Sequence, residues 1–280
     1  MCEIRGASVG RAASLPLSLV GEPPHGKLAA CPTIARRTPH LVLLRLFLIA
    51  FGLAAWFLTQ SLIGQRPLPA AGFGDGGVGD GGLVDAVHQW TAPLHDALLV
   101  HPRAADALLI VSSAIIDAVG VWLLLSALFG QTIRPFLGLL MLFALRQLCQ
   151  ALCVLPAPPG MIWHATGVPT LLVTYGVTND LFFSGHTGLA VLAAVELART
   201  GRKSLTALGV LIAAFEAMTV LILRAHYTMD VFTGAIAALF VAQLAARWAP
   251  AFDRVLVRFG QIRRFHTPHA ELHVSHIRPS

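Results

Sequence analysis

The chain has 280 residues, of which 56% are hydrophobic and only 12% are charged, and its mean hydropathy is +0.71. Soluble domains carry about 25% charged residues, so this composition excludes a soluble globular protein and indicates an integral membrane protein. The net charge of +6 does not indicate a nucleic-acid partner, because the sequence contains no basic patch with interleaved aromatic residues.

The amino-terminal residues contain no sustained apolar run, and 1–40 are predicted to form a mobile tail. Six apolar segments follow, each close to the roughly 20 residues that cross the hydrocarbon core of a bilayer. They lie at 41–63, 105–130, 134–155, 183–200, 204–223 and 229–247. Lipid cannot satisfy open backbone groups, so every segment should be helical. We therefore expect an all-α membrane protein, a six-transmembrane-helix bundle whose catalytic domain spans 41–248.

The distribution of lysine and arginine predicts the orientation of this bundle. Basic residues collect near the amino terminus, in the second and fourth loops and in a basic tail at 249–280. By the positive-inside rule these parts should be cytoplasmic, including both termini. The first, third and fifth loops should then face outward.

The first loop contains the stretch "VDAVHQWTAPLHDALLV" at 84–100. On a helix its Trp90, Leu94 and Leu98 would share one face, which predicts a helix lying in the membrane interface. Two interpretations stay open: the helix could form a roof over a site, or it could be a surface helix without a role.

Two polar motifs lie at the outward ends of apolar segments: "FFSGHTGLAVL" at 182–192 and "LRAHYTMDVF" at 223–232. Ionisable groups at membrane depth are costly and by default functional. His226 and Asp230 would share a helix face, where the carboxylate would fix the imidazole tautomer and strengthen its other nitrogen as a nucleophile. His186 could then give a proton to a leaving group. The same three residue types also bind metals, so a metal site stays an alternative.

The residues around these motifs suit a phosphate. Gly185 would let backbone N–H groups approach an anion at the start of the fourth helix, and Arg146 and Arg224 could grip phosphate oxygens. Together with two histidines and an aspartate, they are typical of phosphoryl transfer through a phosphohistidine. Taken alone, a histidine at a membrane end is usually interfacial, and a pair such as His226 and Asp230 often makes a structural hydrogen bond.

The pair "DLFFSGHT" (180–187) and "HYTMDV" (226–231) resembles the sphingomyelin synthase family, within the lipid phosphatase/phosphotransferase superfamily of type-2 phosphatidic acid phosphatases. The resemblance implies that His226 attacks the phosphorus of a phospholipid, that Asp230 orients it, and that His186 protonates the departing diacylglycerol. It also implies substrate-binding roles for the neighbouring motif residues and arginines. These are Arg146, Asp180, Ser184, Gly185, Arg224 and Tyr227.

The implied activity is the transfer of a phospho-head-group from a glycerophospholipid to a lipid alcohol, either ceramide or diacylglycerol. The partners are then the phospholipid donor, the lipid acceptor and the bilayer, and the reaction needs no cofactor. A hydrolase with the same site and water as acceptor, such as a lipid phosphate phosphatase or phospholipase C, stays an alternative. A non-catalytic membrane protein is a third, and a homo-oligomer is left open.

The head group and the membrane are predicted from weaker signals. Ala235 stands where the resembled family tends to place a tyrosine, and few aromatic residues follow it, which weakens the case for phosphocholine because choline often binds aromatic faces. The excess of arginine over lysine, with many alanines and glycines, indicates a GC-rich bacterial genome. This predicts a bacterial inner membrane with the site facing the periplasm; a Golgi-like membrane is the eukaryotic alternative.

Overall fold

The computed structural model describes residues 39–65, 85–153, 155–175 and 181–262. These residues form eight α-helices and no strand, which confirms the all-α prediction. The helices are α1 (Pro39–Gly64), α2 (Ala86–Trp90), α3 (Ala92–Val100), α4 (Pro102–Phe129), α5 (Arg134–Leu152), α6 (Gly185–Ala198), α7 (Lys203–Ile222) and α8 (Thr228–Ile262). The predicted amino-terminal tail lies outside the described residues up to residue 38.

Five of the described helices, α1, α4, α5, α7 and α8, are long and apolar enough to cross a membrane. The chain is therefore a multi-pass membrane protein. The predicted segment 183–200 folds as α6, whose 14 residues extend about 21 Å at 1.5 Å per residue, less than the roughly 30 Å hydrocarbon core. A sixth crossing is thus not confirmed, and the cytoplasmic placement of both termini stays a prediction.

The short helix α6 lies inside the bundle, where it packs against α4, α5, α7 and α8. Its Leu189, Ala190, Leu192 and Ala193 are each at most 1% exposed. Protein therefore surrounds α6, whereas most side chains of α1 are not buried in the protein. A helix enclosed by protein does not have to match the thickness of the bilayer.

Two glycines bring the neighbouring helices unusually close to α6. A Cβ atom at Gly234 would lie 2.6 Å from the carbonyl oxygen of Ser184, and one at Gly209 would lie 2.7 Å from the Cα of Ala194. The first approach sets the turn before α6 against the first turns of α8. There the backbone N–H of Ser184 donates to the carbonyl of Asp230 at 3.1 Å.

Helix α8 continues to Ile262, past the predicted segment end at 247 and across the predicted domain boundary at 248. The part of α8 beyond residue 247 contains charged residues and therefore lies outside the predicted apolar segment. Contacts with α1 and with the turn between α4 and α5 hold it against the bundle. Asp253 accepts a hydrogen bond from the backbone N–H of Ile133 at 2.9 Å and pairs with Arg45 at 3.6 Å.

A second group of charges joins three helices at this same end of the bundle. Glu196 on α6 accepts hydrogen bonds from Arg134 Nε at 3.1 Å and Nη2 at 2.8 Å, and from Arg199 Nη1 at 2.9 Å. Arg199 also donates to the carbonyl of Ala242 on α8 at 3.0 Å. The carboxylate is 4% exposed, so this is a buried charge with several partners.

Candidate active site

His226 lies in the turn between α7 and α8, at the end of the bundle where α6 begins. Because α8 begins at Thr228, His226 precedes the helix that holds Asp230, whereas the sequence predicted both residues on one helix face. The two side chains still face each other, with His226 Nδ1 3.8 Å from Asp230 Oδ2. They are only 6% and 1% exposed.

This distance exceeds that of a hydrogen bond, which is about 2.7–3.2 Å. Asp230 Oδ2 accepts instead from the backbone N–H of Tyr227 at 3.0 Å. Among the described residues, neither His226 Nδ1 nor Asp230 Oδ1 has a hydrogen-bond partner. Catalytic hydrogen bonds are often long in unliganded enzymes and shorten with the substrate bound, so the pair has the arrangement of an imidazole beside an orienting carboxylate.

His186 is the second residue of α6, which begins at Gly185. Ser184 caps this helix, since its Oγ accepts from the backbone N–H of Thr187 at 3.4 Å, as serine commonly does at a helix start. The imidazole of His186 is buried, and its Nε2 has no hydrogen-bond partner within the described ranges. The ring of Trp163 stands edge-on to it, with the centroids 5.3 Å apart.

One cavity brings the two histidines together: His186, His226, Gly185 and Arg146 all line it. Arg146 Nε donates to the carbonyl of Phe183 at 2.9 Å. A Cβ atom at Gly185 would lie 3.2 Å from this Nε, so glycine allows the guanidinium to lie against the start of α6. The cavity thus combines two imidazoles, a guanidinium and a helix amino terminus, which suit the binding and transfer of a phosphate.

Of the other residues predicted to bind substrate, Ser184, Arg224 and Tyr227 do not line this cavity. Ser184 is fully buried as the cap of α6. Arg224, at φ 52, donates to a backbone carbonyl in the loop between α5 and α6 at 3.1 Å. Tyr227 stacks on His88 with the centroids 5.7 Å apart, and burial raises the pKa of its phenol. Asp180 lies outside the described residues.

Three aromatic rings line the same cavity: Trp56 from α1, Phe143 from α5 and Trp163 from the loop between α5 and α6. The Trp56 and Phe143 centroids are 4.7 Å apart, and Trp163 Nε1 donates to the carbonyl of Thr174 at 3.2 Å. The sequence has few aromatic residues beyond Ala235, on α8, whereas the rings that line the cavity come from other elements. A cationic head group placed here would meet aromatic faces.

The loop that carries Trp163 is anchored to α4. Both carboxylate oxygens of Asp117 accept backbone hydrogen bonds from this loop, from Leu171 and Leu172, each at 2.8 Å. Leu172 and the two residues after it also line the cavity. These three rings, Trp56, Phe143 and Trp163, form the aromatic wall of the cavity, and the part of the wall that carries Trp163 is held by α4.

Within the described ranges, no group of three or more histidine, cysteine, aspartate or glutamate side chains is arranged to hold a metal ion. The alternative of a metal bound by His186, His226 and Asp230 therefore has no support in this geometry.

The apolar face of α2 and α3 was predicted from the sequence, but the polar face opposite it was not. Trp90 and Leu94 are 77% and 57% exposed, as an interfacial helix requires, whereas the predicted third member, Leu98, is half-buried. The opposite face carries His88 and His95, which are 7% and 0% exposed and point into the protein. The two histidines are seven residues apart, which places them on one helical face, and this spacing could have predicted a buried polar face.

A family model matches residues 84–247, more than half of the chain, and its description is AtPDCT1/2. The chain belongs to this family. It is the phosphatidylcholine:diacylglycerol cholinephosphotransferase family, so this AtPDCT1/2 member is a membrane phosphotransferase that moves a phospho-head-group between lipids. No curated protein and no solved structure matches the chain.

The AtPDCT1/2 match shows that assignment to the sphingomyelin synthase family, within the superfamily of type-2 phosphatidic acid phosphatases, was wrong. The two families are related in activity. The motifs behind the resemblance, at 184–187 and 226–230, contain residue types that suit moving a phosphate and say little about the accepting lipid. The prediction of ceramide as acceptor, and of a role in sphingolipid metabolism, is therefore not supported. The bacterial inner membrane also has no support, since the AtPDCT1/2 family is eukaryotic, of the plant endoplasmic reticulum.

Proposed function

We propose that this chain moves phosphocholine from phosphatidylcholine to diacylglycerol through a phosphohistidine at His226, within a catalytic domain at 41–248. The observation that carries the proposal is the single cavity lined by both histidines, by Arg146 and by aromatic rings. Membership of the AtPDCT1/2 family supports the choice of donor and acceptor.

In the first step, Nε2 of His226 attacks the phosphorus of the donor. A phosphorus–nitrogen bond forms while the bond from phosphorus to the glyceride oxygen breaks, and His186 gives its proton to that departing oxygen. The facing carboxylate of Asp230, 3.8 Å from Nδ1, stabilises the positive charge that develops on the His226 ring. The departing lipid is diacylglycerol.

In the second step, the hydroxyl of another diacylglycerol attacks the phosphorus. Its proton passes to His186, the phosphorus–nitrogen bond breaks, and His226 is free again. Arg146 and the amino terminus of α6, both at the cavity wall, stabilise the phosphate oxygens in both steps. The low exposure of His186 and His226, 8% and 6%, limits the access of water and favours a lipid acceptor over hydrolysis.

The aromatic wall supports choline as the head group. A trimethylammonium group has no N–H to donate and binds aromatic faces through charge and apolar contact. The ammonium of ethanolamine has three N–H donors, which rings satisfy poorly. Trp56, Phe143 and Trp163 line the cavity that holds the histidines, so a choline bound to the transferred phosphate would lie near these rings.

The test is head-group transfer in vesicles that contain the purified full-length protein. The donor is head-group-labelled phosphatidylcholine or phosphatidylethanolamine, and the acceptor is diacylglycerol with distinguishable acyl chains. We expect label from phosphatidylcholine to appear in the new phospholipid only when diacylglycerol is present. Release of free phosphocholine without acceptor would establish the hydrolase alternative instead.

The same assay tests the head-group assignment. Trp163→Leu removes one aromatic face, so we expect the KM for phosphatidylcholine to rise about 3- to 30-fold, the range for a cation–π contact. Trp163→Phe keeps a ring and loses the Nε1–H bond to the loop, and should lie much closer to wild type. Equal losses of both donors in Trp163→Leu would contradict a choline-binding role for this ring.

A further inference from the structure

Helices α2 and α3 turn a polar face into the protein and an apolar face outward. His88, Thr91 and His95 are at most 7% exposed, while Trp90 and Leu94 are more than half exposed. Buried histidines need partners, because a buried polar group without one costs about 1–3 kcal/mol. His95 Nδ1 bonds to Ile222, the last residue of α7, and His88 Nε2 bonds to the turn between α7 and α8.

Three side chains of this region hold that turn on both sides of His226. His95 Nδ1 donates to the carbonyl of Ile222 at 2.8 Å, before the histidine. Asp85 accepts from the backbone N–H of Thr228 at 2.6 Å and from its hydroxyl at 2.8 Å, after the histidine. His88 Nε2 donates to the carbonyl of His226 itself at 3.0 Å.

These contacts supply hydrogen-bond partners to backbone groups at the end of α7 and the start of α8. The last carbonyls of α7 and the first N–H groups of α8 have no partners within their own helices. Asp85 also caps α2, since its Oδ1 accepts from the backbone N–H of Val87 at 2.9 Å. The Asp85 carboxylate therefore joins the starts of α2 and α8. His88 lies on α2, less than one helical turn after Asp85.

The position of the His226 ring depends on its backbone, because Nδ1 has no hydrogen-bond partner among the described residues. The main-chain N–H of His226 makes a long bond of 3.3 Å to the carbonyl of Val220. The bond from His88 to the carbonyl is shorter and comes from an element 138 residues away.

We propose that His88 is a positioning residue, which holds the His226 backbone so that the imidazole faces the cavity. The inference rests on the proposed role of His226 as nucleophile. His88 itself does not line the cavity and acts only through its hydrogen bond to the His226 carbonyl. A displacement of about 1 Å in a reacting group can lower a rate by about 100-fold.

Two substitutions separate this role from simple packing. His88→Gln keeps an N–H donor at similar reach and loses the ring that stacks on Tyr227. His88→Phe keeps the ring and loses the donor. His164→Gln is the control, because His164 is an exposed histidine with a carboxylate partner, Asp106, at 2.8 Å, and it does not line the cavity.

The full-length variants are compared in vesicles with labelled phosphatidylcholine. The measurements are kcat, KM, Tm and the single-turnover rate at which label appears on residue 226, read by mass spectrometry. We expect His88→Phe to lower kcat and the labelling rate about 10- to 100-fold, with KM within about threefold. His88→Gln should stay within about threefold of wild type, and His164→Gln should match it.

A kcat for His88→Phe equal to or above that of His88→Gln would overturn the inference, since stacking would then matter more than the donor. Loss of the fold in both variants would also overturn it, because His88 would then hold the fold as a whole. Failure of the proposed function has a different signature: the wild type itself would carry no label on residue 226.

Discussion

The two ends of the helix bundle hold buried charge in opposite ways. At the end where α5 begins and α6 ends, Glu196 has two arginine partners and four hydrogen bonds of 2.8–3.2 Å. At the other end, buried atoms of His186, His226 and Asp230 have no hydrogen-bond partner among the described residues. One end joins helices, and the other leaves its polar atoms open to a ligand.

The difference indicates that hydrogen bonds stabilise the end with Glu196 more than the end with the two histidines. An unpartnered buried polar atom costs about 1–3 kcal/mol, and the recurrent reason to keep one is function at that site. The unpaired atoms of His186 and His226 belong to residues that line one cavity, as a site prepared for a substrate requires. Substitutions at the two ends should therefore have opposite effects on activity and stability.

The largest effect on activity is expected for His226→Ala. This change removes the proposed nucleophile and keeps the backbone carbonyl that accepts from His88, so turnover should fall by at least about 1,000-fold. Because Nδ1 has no partner among the described residues, Tm should change by less than about 2 °C. Head-group transfer and thermal unfolding measure the two quantities. Wild-type turnover in the His226→Ala variant would contradict its role as nucleophile. Asp230→Asn should also lower turnover with little change in Tm, but by a smaller factor.

His186→Ala should lose activity selectively. A proton donor matters for the departing diacylglycerol, a poor leaving group, and matters little for p-nitrophenolate, a weak base. On phosphatidylcholine we expect a loss of about 100- to 10,000-fold, the range for general acid catalysis. On p-nitrophenyl phosphorylcholine the loss should be far smaller, provided that the wild type accepts this donor. Equal losses on both donors would leave His186 without the role of general acid.

At the opposite end, Glu196→Gln should act on stability. It leaves Arg134 and Arg199 without their carboxylate, and since these arginines are 28% and 23% exposed the loss should be about 2 kcal/mol, below the range for fully buried pairs. That corresponds to a fall in Tm of about 4–8 °C, with kcat per folded molecule within about twofold. A large loss of kcat at unchanged Tm would show that the two ends are not separate in function.

The smallest expected effect is a dependence of Tm on pH that arises from Asp85, which joins α2 to Thr228 at the start of α8. Burial raises the pKa of Asp85, but the hydrogen bonds from Thr228 and the nearby His88 together outweigh it, so the net pKa lies below the ordinary 3.8. A lowered folded-state pKa means that the ionised form stabilises the fold at pH values above about 4, and that this stabilisation is lost as pH falls through the folded-state pKa.

The comparison of Tm between wild type and Asp85→Ala measures this contribution. We expect the variant to melt about 2–4 °C lower between pH 5 and 8, the effect of about one helix cap. The difference should shrink as pH falls below 4. A difference that stayed constant down to pH 3 would show that the charge of Asp85 contributes nothing to the contact with Thr228.

The sequence by itself determined the class of protein and most of the membrane-spanning helices, and it predicted the chemistry now proposed for the central residues. Apolar run length decides whether a segment can cross a bilayer, and this property is local. The short motifs around His186 and His226 are equally local. They led to a phosphotransferase acting on lipids, and to the wrong family, because they reflect the transferred phosphate and not the accepting lipid.

Only the tertiary structure decided which side chains surround that chemistry. Arg224 lies next to the motif and turns to a loop carbonyl, while Trp56 and Trp163, far away in the chain, line the cavity. His88 reaches the carbonyl of His226 across 138 residues. Hydropathy and periodicity identify the faces of a helix, but which face turns inward, and toward which partner, depends on the packing of helices distant in sequence.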